Sequence, residues 1–273
     1  MASLTGRVVA ITGGARGIGL ATARELSRRG CKVAIGDIDV DGVKSAADDL
    51  GGAALGIDLD VTDRASFDNF LARVEDELGP LDVLVNNAGI MPVGHFEHEP
   101  DEVTRRQFDI NVHGVINGMK SALALMLPRN RGHIVNVASQ AGKVPVAGAI
   151  TYAGTKHAVV GLTGSAILEY MDTGVDFSIV MPAFVNTDLI SGTKPPKGVP
   201  PVEPEDVAGA IADAVEKPRA EVFVPRMIVP LIKTAPLMPA PVSKFLVKAF
   251  GMERGFLDHD PDTRKDYEDR IRS

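Results

Sequence analysis

Short apolar runs alternate with helical patterns down the whole chain, and that alternation limits the sheet the sequence can make. Val8 to Thr12, Lys32 to Gly36, Ala53 to Ile57, Leu81 to Asn86, Gly132 to Ser139, Val175 to Met181 and Glu221 to Val224 read as strands. Between them Ile18 to Arg29, Val40 to Leu50, Arg64 to Leu78, Asp101 to Leu127, Tyr152 to Met171 and Glu205 to Glu216 read as helices. Strands that are apolar along nearly their whole length are buried on both faces, and a helix between successive strands makes the sheet parallel. The expected fold is α/β: a doubly wound parallel sheet with helices on both faces. At 273 residues two domains are possible by length, but open α/β folds of this size often form one, and a single domain is expected. No internal repeat or low-complexity tract interrupts the pattern.

The first strand runs into Thr12-Gly13-Gly14-Ala15-Arg16-Gly17-Ile18-Gly19. Its spacing is not G-x-G-x-x-G, yet it occupies the same strand-to-helix turn. Glycines there turn the chain tightly and bring bare N–H groups against a pyrophosphate at the positive end of the helix. A tight turn with no ligand is the plainer reading, and position after the first strand argues for the phosphate site. The second strand ends near Asp37, 24 residues after Gly13, where a dinucleotide fold places the acid that binds the adenosine ribose. A carboxylate at ~4 Å from a 2′-phosphate is repelled by about 4 kcal/mol per unit charge at a dielectric of about 20, which favours NAD over NADP. Arg16 pulls the other way, because a guanidinium in the glycine loop can accept that phosphate. Asp39 and Asp41 read as helix caps. Asp60-Val61-Thr62 and Asn86-Asn87-Ala88-Gly89 follow the third and fourth strands, at the strand ends where open α/β sheets bind ligands.

Tyr152 and Lys156 lie four residues apart at the start of a predicted helix, so their side chains leave one face about one turn apart. A phenol with a pKa near ~10 is ionised in about one molecule in a thousand at neutral pH. An ammonium at ~4 Å favours the phenolate by about 4 kcal/mol at a dielectric of about 20, or about three pKa units before desolvation. Lys156 is therefore expected to lower the Tyr152 pKa and make the phenol a usable general base. Tyr-x-x-x-Lys arises by chance in roughly one chain in several, so the pair needs company. Ser139 closes the apolar run that starts at His133, and a hydroxyl at a strand end can hold a substrate oxygen in a cleft. Asn111 sits inside the long helical segment; taken alone, it reads as solvating one helix face.

Together these residues resemble a short-chain dehydrogenase/reductase over most of the chain. The match rests on Thr12-Gly-x-x-x-Gly17-Ile-Gly19, Asp60-Val61, Asn86-x-Ala88-Gly89, Asn111, Ser139, Tyr152-x-x-x-Lys156 and Pro182-Ala-Phe-Val185-Asn-Thr187. The resemblance implies a Rossmann-like catalytic domain over residues 1–226, with a substrate loop at 183–203, that passes a hydride directly between NAD(H) and a substrate carbon. It implies Tyr152 as acid/base, Lys156 lowering its pKa and holding the nicotinamide ribose, Ser139 on the reacting oxygen, and Asn111 anchoring a water-mediated proton relay. Gly13, Arg16, Gly17, Ile18 and Gly19 with Asp37 are expected to bind the cofactor's phosphates and ribose. Asp60 and Val61 are expected at the adenine, Asn87, Ala88 and Gly89 along the channel, Val185 and Thr187 at the carboxamide, and Pro182 among the cofactor-binding residues. The same tyrosine with retained NAD also serves an isomerase or lyase, and a non-catalytic NAD sensor or scaffold is a further alternative. Pro182-Ala183 stands where the family often has Pro-Gly.

The walls expected around a substrate, Ile90 to His98, Gln140 to Ile150 and Ala183 to Glu203, are mostly apolar and without an arginine clamp. A small hydrophobic secondary alcohol or ketone is the substrate they suit. His95 and His98 read as solvated loop residues, and no metal is expected. With a net charge of -7 and 5% aromatic residues, no nucleic-acid partner is expected. Cys31 is the single cysteine, which excludes an intrachain disulfide. The apolar run Val8 to Ile11 is shorter than a signal h-region, so a cytoplasmic protein is expected.

After Val224 the chain continues where many relatives end in a short contact with a partner subunit. Residues 227–273 read as a Pro-interrupted apolar extension. Within it Val242, Phe245, Leu246, Ala249 and Phe250 make one apolar stripe at helical spacing. The stripe is expected to pack over the cleft or against a partner in a homo-oligomer (dimer or tetramer), with peripheral membrane contact as the other possibility.

Overall fold

The computed structural model describes residues 4–52, 54–195, 200–234, 237–251 and 254–272. Seven parallel strands form one sheet in the order β3-β2-β1-β4-β5-β6-β7. They are β1 Val8–Thr12, β2 Lys32–Asp37, β3 Leu55–Asp58, β4 Leu81–Asn86, β5 Gly132–Val137, β6 Val175–Pro182 and β7 Glu221–Val224. The expected start of the third strand at Ala53 lies outside the described residues. The crossover helices are α1 Gly17–Arg28, α2 Val40–Leu50, α3 Arg64–Leu78, α4 Asp101–Phe108, α5 Gly114–Met126, α6 Ile150–Glu169 and α7 Pro204–Glu216. The sheet, its parallel sense and its two helical layers are those the apolar runs required.

Alternate strand residues feed two cores. Val8, Ala10, Leu84, Ile134, Ile179 and Phe223 pack with Phe67, Leu71, Met119 and Val159 from α3, α5 and α6. Val9, Ile11, Val83, Val85, Val135 and Val180 pack with Leu26, Val43 and Ile211 from α1, α2 and α7. Burying such a side chain contributes about 1.5–3 kcal/mol, and both faces of each inner strand are used, which is why the runs lack a polar alternation. Short polar side chains start two of the helices. Asp39 caps α2 through Gly42 N, and Asp63 caps α3 through Ala65 N and Ser66 N.

The long segment expected as one helix is three pieces. A single π turn, Asp109–His113, separates α4 from α5, and the extra residue re-aims the chain at Asn111.

The order in which strands are added reverses between the parallel neighbours β1 and β4, from which the sheet grows outward in opposite senses. Their C-terminal loops separate and leave a crevice. Thr12, 1% exposed, joins the two loops: its Oγ1 accepts from Asn87 N and from Ala88 N, each at 3.0 Å. Asn87 Nδ2 returns a bond to Thr12 O at 2.9 Å.

Beyond β7 lie α8 Val229–Thr234, α9 Ala240–Ala249 and α10 Pro261–Arg272. Val242, Phe245 and Phe250 of the apolar stripe are exposed, and the side chain of Leu246 lies outside the description. α10, in contrast, docks on the domain through a fully buried Arg264. Among the described residues no helix is long and apolar enough to cross a membrane.

Candidate active site

The crevice opens into a cavity of about 1000 Å³ that runs from the glycine turn to α10. It gathers every site residue expected from the sequence except Gly19 and Asn111, and both of those act from behind the wall. A Cβ on Gly19 would lie 2.1 Å from Gly13 O, and one on Gly13 would lie 2.9 Å from Ala88 Cα. Gly13 also has a φ of +67°, so close approach and backbone sign both demand glycine. Gly17 turns left-handed as well, with a φ of +54° at the N-terminus of α1.

Asp37 stands at the end of β2 on the cavity wall. Its carboxylate accepts from Ala15 N at 3.1 Å and from Asp39 N at 3.1 Å, which fixes it beside the glycine turn. Arg16 is not free as the sequence suggested: its guanidinium is paired with Asp39. Asp60 closes its own turn, with Oδ1 accepting from Thr62 N at 2.9 Å. Val61 is held from behind by Asn117 Nδ2, which donates to its carbonyl at 3.0 Å.

Ser139 lies just beyond β5, with Oγ accepting from Ala141 N at 3.1 Å and hydrogen-bonded to the Tyr152 phenol. Tyr152 and Lys156 do share a face of α6, but the ammonium is 5.7 Å from the Tyr152 ring centroid and donates to Val137 O at 3.0 Å. Burial pushes the phenol up to about 12, with the Ser139 bond working against it. Burial also pulls Lys156 down to about 8. The expected lowering of Tyr152 by its neighbour is therefore not what the protein's own groups produce. Desolvation outweighs an ammonium that is not in contact with the phenolic oxygen.

Asn111 is fully buried, so helix-face solvation is not its role. Its Oδ1 accepts from Ile90 N at 2.9 Å, and its Nδ2 donates to Ile90 O at 2.9 Å and Thr155 Oγ1 at 3.1 Å. The side chain ties the β4 exit loop to α6, three residues from Tyr152. At the β6 exit, Ala183 N donates to Val224 O at 2.8 Å, and Ala183 is not among the residues of positive φ. The Pro182-Ala183 step needs no glycine.

A family model described as short chain dehydrogenase matches residues 7–197, well over half of the chain. The chain belongs to the short-chain dehydrogenase family. Among its relatives is a 2,5-dichloro-2,5-cyclohexadiene-1,4-diol dehydrogenase of Sphingobium indicum, 37% identical over 70% of this chain and 78% of that protein. A cis-4-hydroxycyclohexanecarboxylate dehydrogenase of Sinomonas cyclohexanicum is 41% identical over 68% of this chain and 76% of its own. A galactitol 2-dehydrogenase of Agrobacterium fabrum is 39% identical over 67% and 72%. The fold matches a short-chain dehydrogenase/reductase of Burkholderia phymatum solved in complex with NAD, with a TM-score of 0.80, 25% identity, and coverage of 87% of this chain and 95% of that one.

The C-terminal extension was expected over the cleft through the α9 stripe, of which Phe250 lines the cavity; the larger share taken by Phe256 and α10 was not foreseen. Phe256 stacks on Phe184 with ring centroids 5.2 Å apart, and Tyr267 and Ile271 of α10 close the side next to Ile90 and Met91. Arg264, Tyr267 and Ile271 fall at i, i+3 and i+7. That spacing was the available signal, masked by a helix otherwise dense in charge.

Proposed function

We propose that this dehydrogenase moves a hydride between NAD(H) and a hydrophobic secondary alcohol or its ketone, most naturally one carried on a six-membered ring. The observation that carries the reading is the Ser139–Tyr152–Lys156 group at the meeting point of a glycine-lined turn and an apolar chamber. The residues present fit a dinucleotide. The Gly13–Gly19 turn is a cradle that a Cβ would fill. Lys156, 4% exposed, uses one N–H on Val137 O and has no other acceptor among the described residues, which leaves donors for a ribose.

When bound, a nicotinamide dinucleotide supplies the hydride acceptor or donor. The glycine turn receives its pyrophosphate at the N-terminus of α1, Asp37 its adenosine ribose, and Asp60 and Val61 its adenine. Asn87, Ala88 and Gly89 line its path, Pro182, Val185 and Thr187 hold its carboxamide, and Lys156 and Tyr152 hold its second ribose. Ser139 holds the substrate oxygen, and Tyr152 gives or takes the proton there. Asn111, through its hold on Ile90 and Thr155, keeps α6 and the channel in register and so anchors any proton relay behind Tyr152. The pairing of Arg16 with Asp39 supports NAD over NADP. The ring reading is supported by relatives that act on a cyclohexadienediol and a hydroxycyclohexanecarboxylate and by the apolar side chains of Met91, Val146, Phe184 and Leu189 on the wall.

The test is Tyr152→Phe assayed on ring alcohols by NADH absorbance. Turnover should vanish while NADH still binds, because the variant lacks only the proton donor. Activity within tenfold of the parent would remove Tyr152 from its role.

A further inference from the structure

Tyr267 on α10 is a buried phenol to which the hydride-transfer reading gives no task. It is 6% exposed and forms part of the cavity wall. Its oxygen accepts from Met91 N at 2.8 Å, and its own O–H proton has no acceptor among the described residues. A buried hydroxyl that only accepts leaves a donor unsatisfied, and such donors in a cavity wall mark the place of a ligand oxygen.

The phenol is also held as a binding group would be. The Arg264 guanidinium lies 4.6 Å from the ring centroid, and that of Arg270 5.6 Å. Arg264, fully buried, bonds to the carbonyls of Met91, Leu189 and Ser191 and to Glu268. It pins α10 across two loops of the wall, so the ring of Tyr267 has little freedom. Burial pushes the Tyr267 phenol well above its ordinary value, with the Arg264 cation working against it, so the phenol keeps its proton and can donate it in a hydrogen bond.

Its position relative to the chemistry is set by Met91. That residue packs in the same apolar cluster as Tyr152, and its backbone N–H is the one bonded to Tyr267. The two phenols are close enough for the charge of either to be felt by the other. Around them the wall is apolar, with Phe184, Leu189 and Ile271. One phenol therefore serves the reacting oxygen, and a second presents a lone donor across an apolar gap.

We infer that Tyr267 donates a hydrogen bond to a second oxygen of the substrate, so that the enzyme selects ring alcohols bearing another hydroxyl, keto or carboxylate oxygen remote from the reacting one. This rests on the ring-alcohol reading above and narrows it. Arg264 and Arg270 are already paired with Glu268 and Asp188. Arg106 on the same wall has a buried Nε without a partner, and it is the group that would distinguish a carboxylate from a neutral oxygen.

The experiment compares cyclohexanol, cyclohexane-1,4-diol and 4-hydroxycyclohexanecarboxylate as substrates for the parent, Tyr267→Phe and Arg106→Gln, with calorimetric binding of the same compounds to the NADH-loaded proteins. Tyr267→Phe keeps the ring and its packing. It should lower kcat/KM roughly tenfold for the two bifunctional compounds and leave cyclohexanol within about twofold. A further loss in Arg106→Gln confined to the acid identifies the second oxygen as a carboxylate, and no such loss identifies it as neutral. An equal fall for all three compounds, or no change for any, overturns the proposal. If the parent binds the bifunctional compounds through Tyr267 but turns over none of them, the hydride-transfer reading fails and the binding site stands. If the parent binds neither of them, the site fails.

Discussion

On the proposed reading cofactor choice is set where β2 ends, and two acids there can be removed separately. Asp37 is held by two backbone N–H groups at 3.1 Å, so its carboxylate cannot swing away from an incoming 2′-phosphate. The contact repulsion is about 4 kcal/mol per unit charge at ~4 Å and a dielectric of about 20. Partial exposure reduces this to about 2 kcal/mol, or roughly 30-fold in selectivity. Asp39 acts indirectly, by occupying Arg16, and both side chains of that pair are exposed enough, 38% and 40%, for its opening to cost little. Asp37→Ala should narrow the NAD preference, measured as the ratio of kcat/KM for NAD and NADP, by roughly 30-fold. Asp39→Ala alone should narrow it less, because Asp37 remains, and should lower stability by about 1 kcal/mol through loss of the α2 cap. The double variant should shift preference by more than the product of the two, since only there does a freed Arg16 meet an unopposed phosphate. A double variant that keeps the parent's NAD preference would refute the assignment of both acids.

Acid stability depends on His133, whose Nε2 is 2.9 Å from Ser178 Oγ and whose Nδ1 has no partner. Burial pulls its pKa down to about 4. The unfolded chain therefore takes up a proton near pH 6.5 that the folded chain refuses, and stability present above that pH is lost as pH falls towards 4, by up to about 3 kcal/mol. Urea unfolding at pH 7 and pH 4.5 should show this loss in the parent and less of it in His133→Gln; equal losses would rule His133 out. Arg264→Ala should strand the carbonyls of Met91, Leu189 and Ser191 and lower stability by about 3 kcal/mol or more. Limited proteolysis should then cut within α10 first, and cleavage elsewhere at the parent's rate would contradict its role as the pin.

Most of the sheet could be read from the sequence because its strands are apolar on both faces, a property of local composition. The glycine turn and the Tyr152–Lys156 pair were legible for the same reason: spacing places them. What spacing cannot give is the medium around a group. Lys156 was expected to act on the Tyr152 phenol, but burial governs both, and the ammonium turns to Val137 O. The Arg16–Asp39 pair joins two loops 23 residues apart, and either side chain alone suggests a different task. Asn111 could be named from the resemblance, but the π turn that aims it at Ile90 arises from packing. The apolar stripe of α9 was visible and remains exposed in its outer residues, whereas the charged α10 was passed over and carries the buried arginine.

The family match stops at residue 197, yet Phe256, Tyr267 and Ile271, which finish the cavity, come after it. The matched stretch therefore holds the glycine turn and the Ser139–Tyr152–Lys156 group, while the far wall of the cavity is built from residues beyond it. On the proposed reading, exchanging the residues after β7 should change which substrates the cavity accepts while the glycine turn and Tyr152 stay in place.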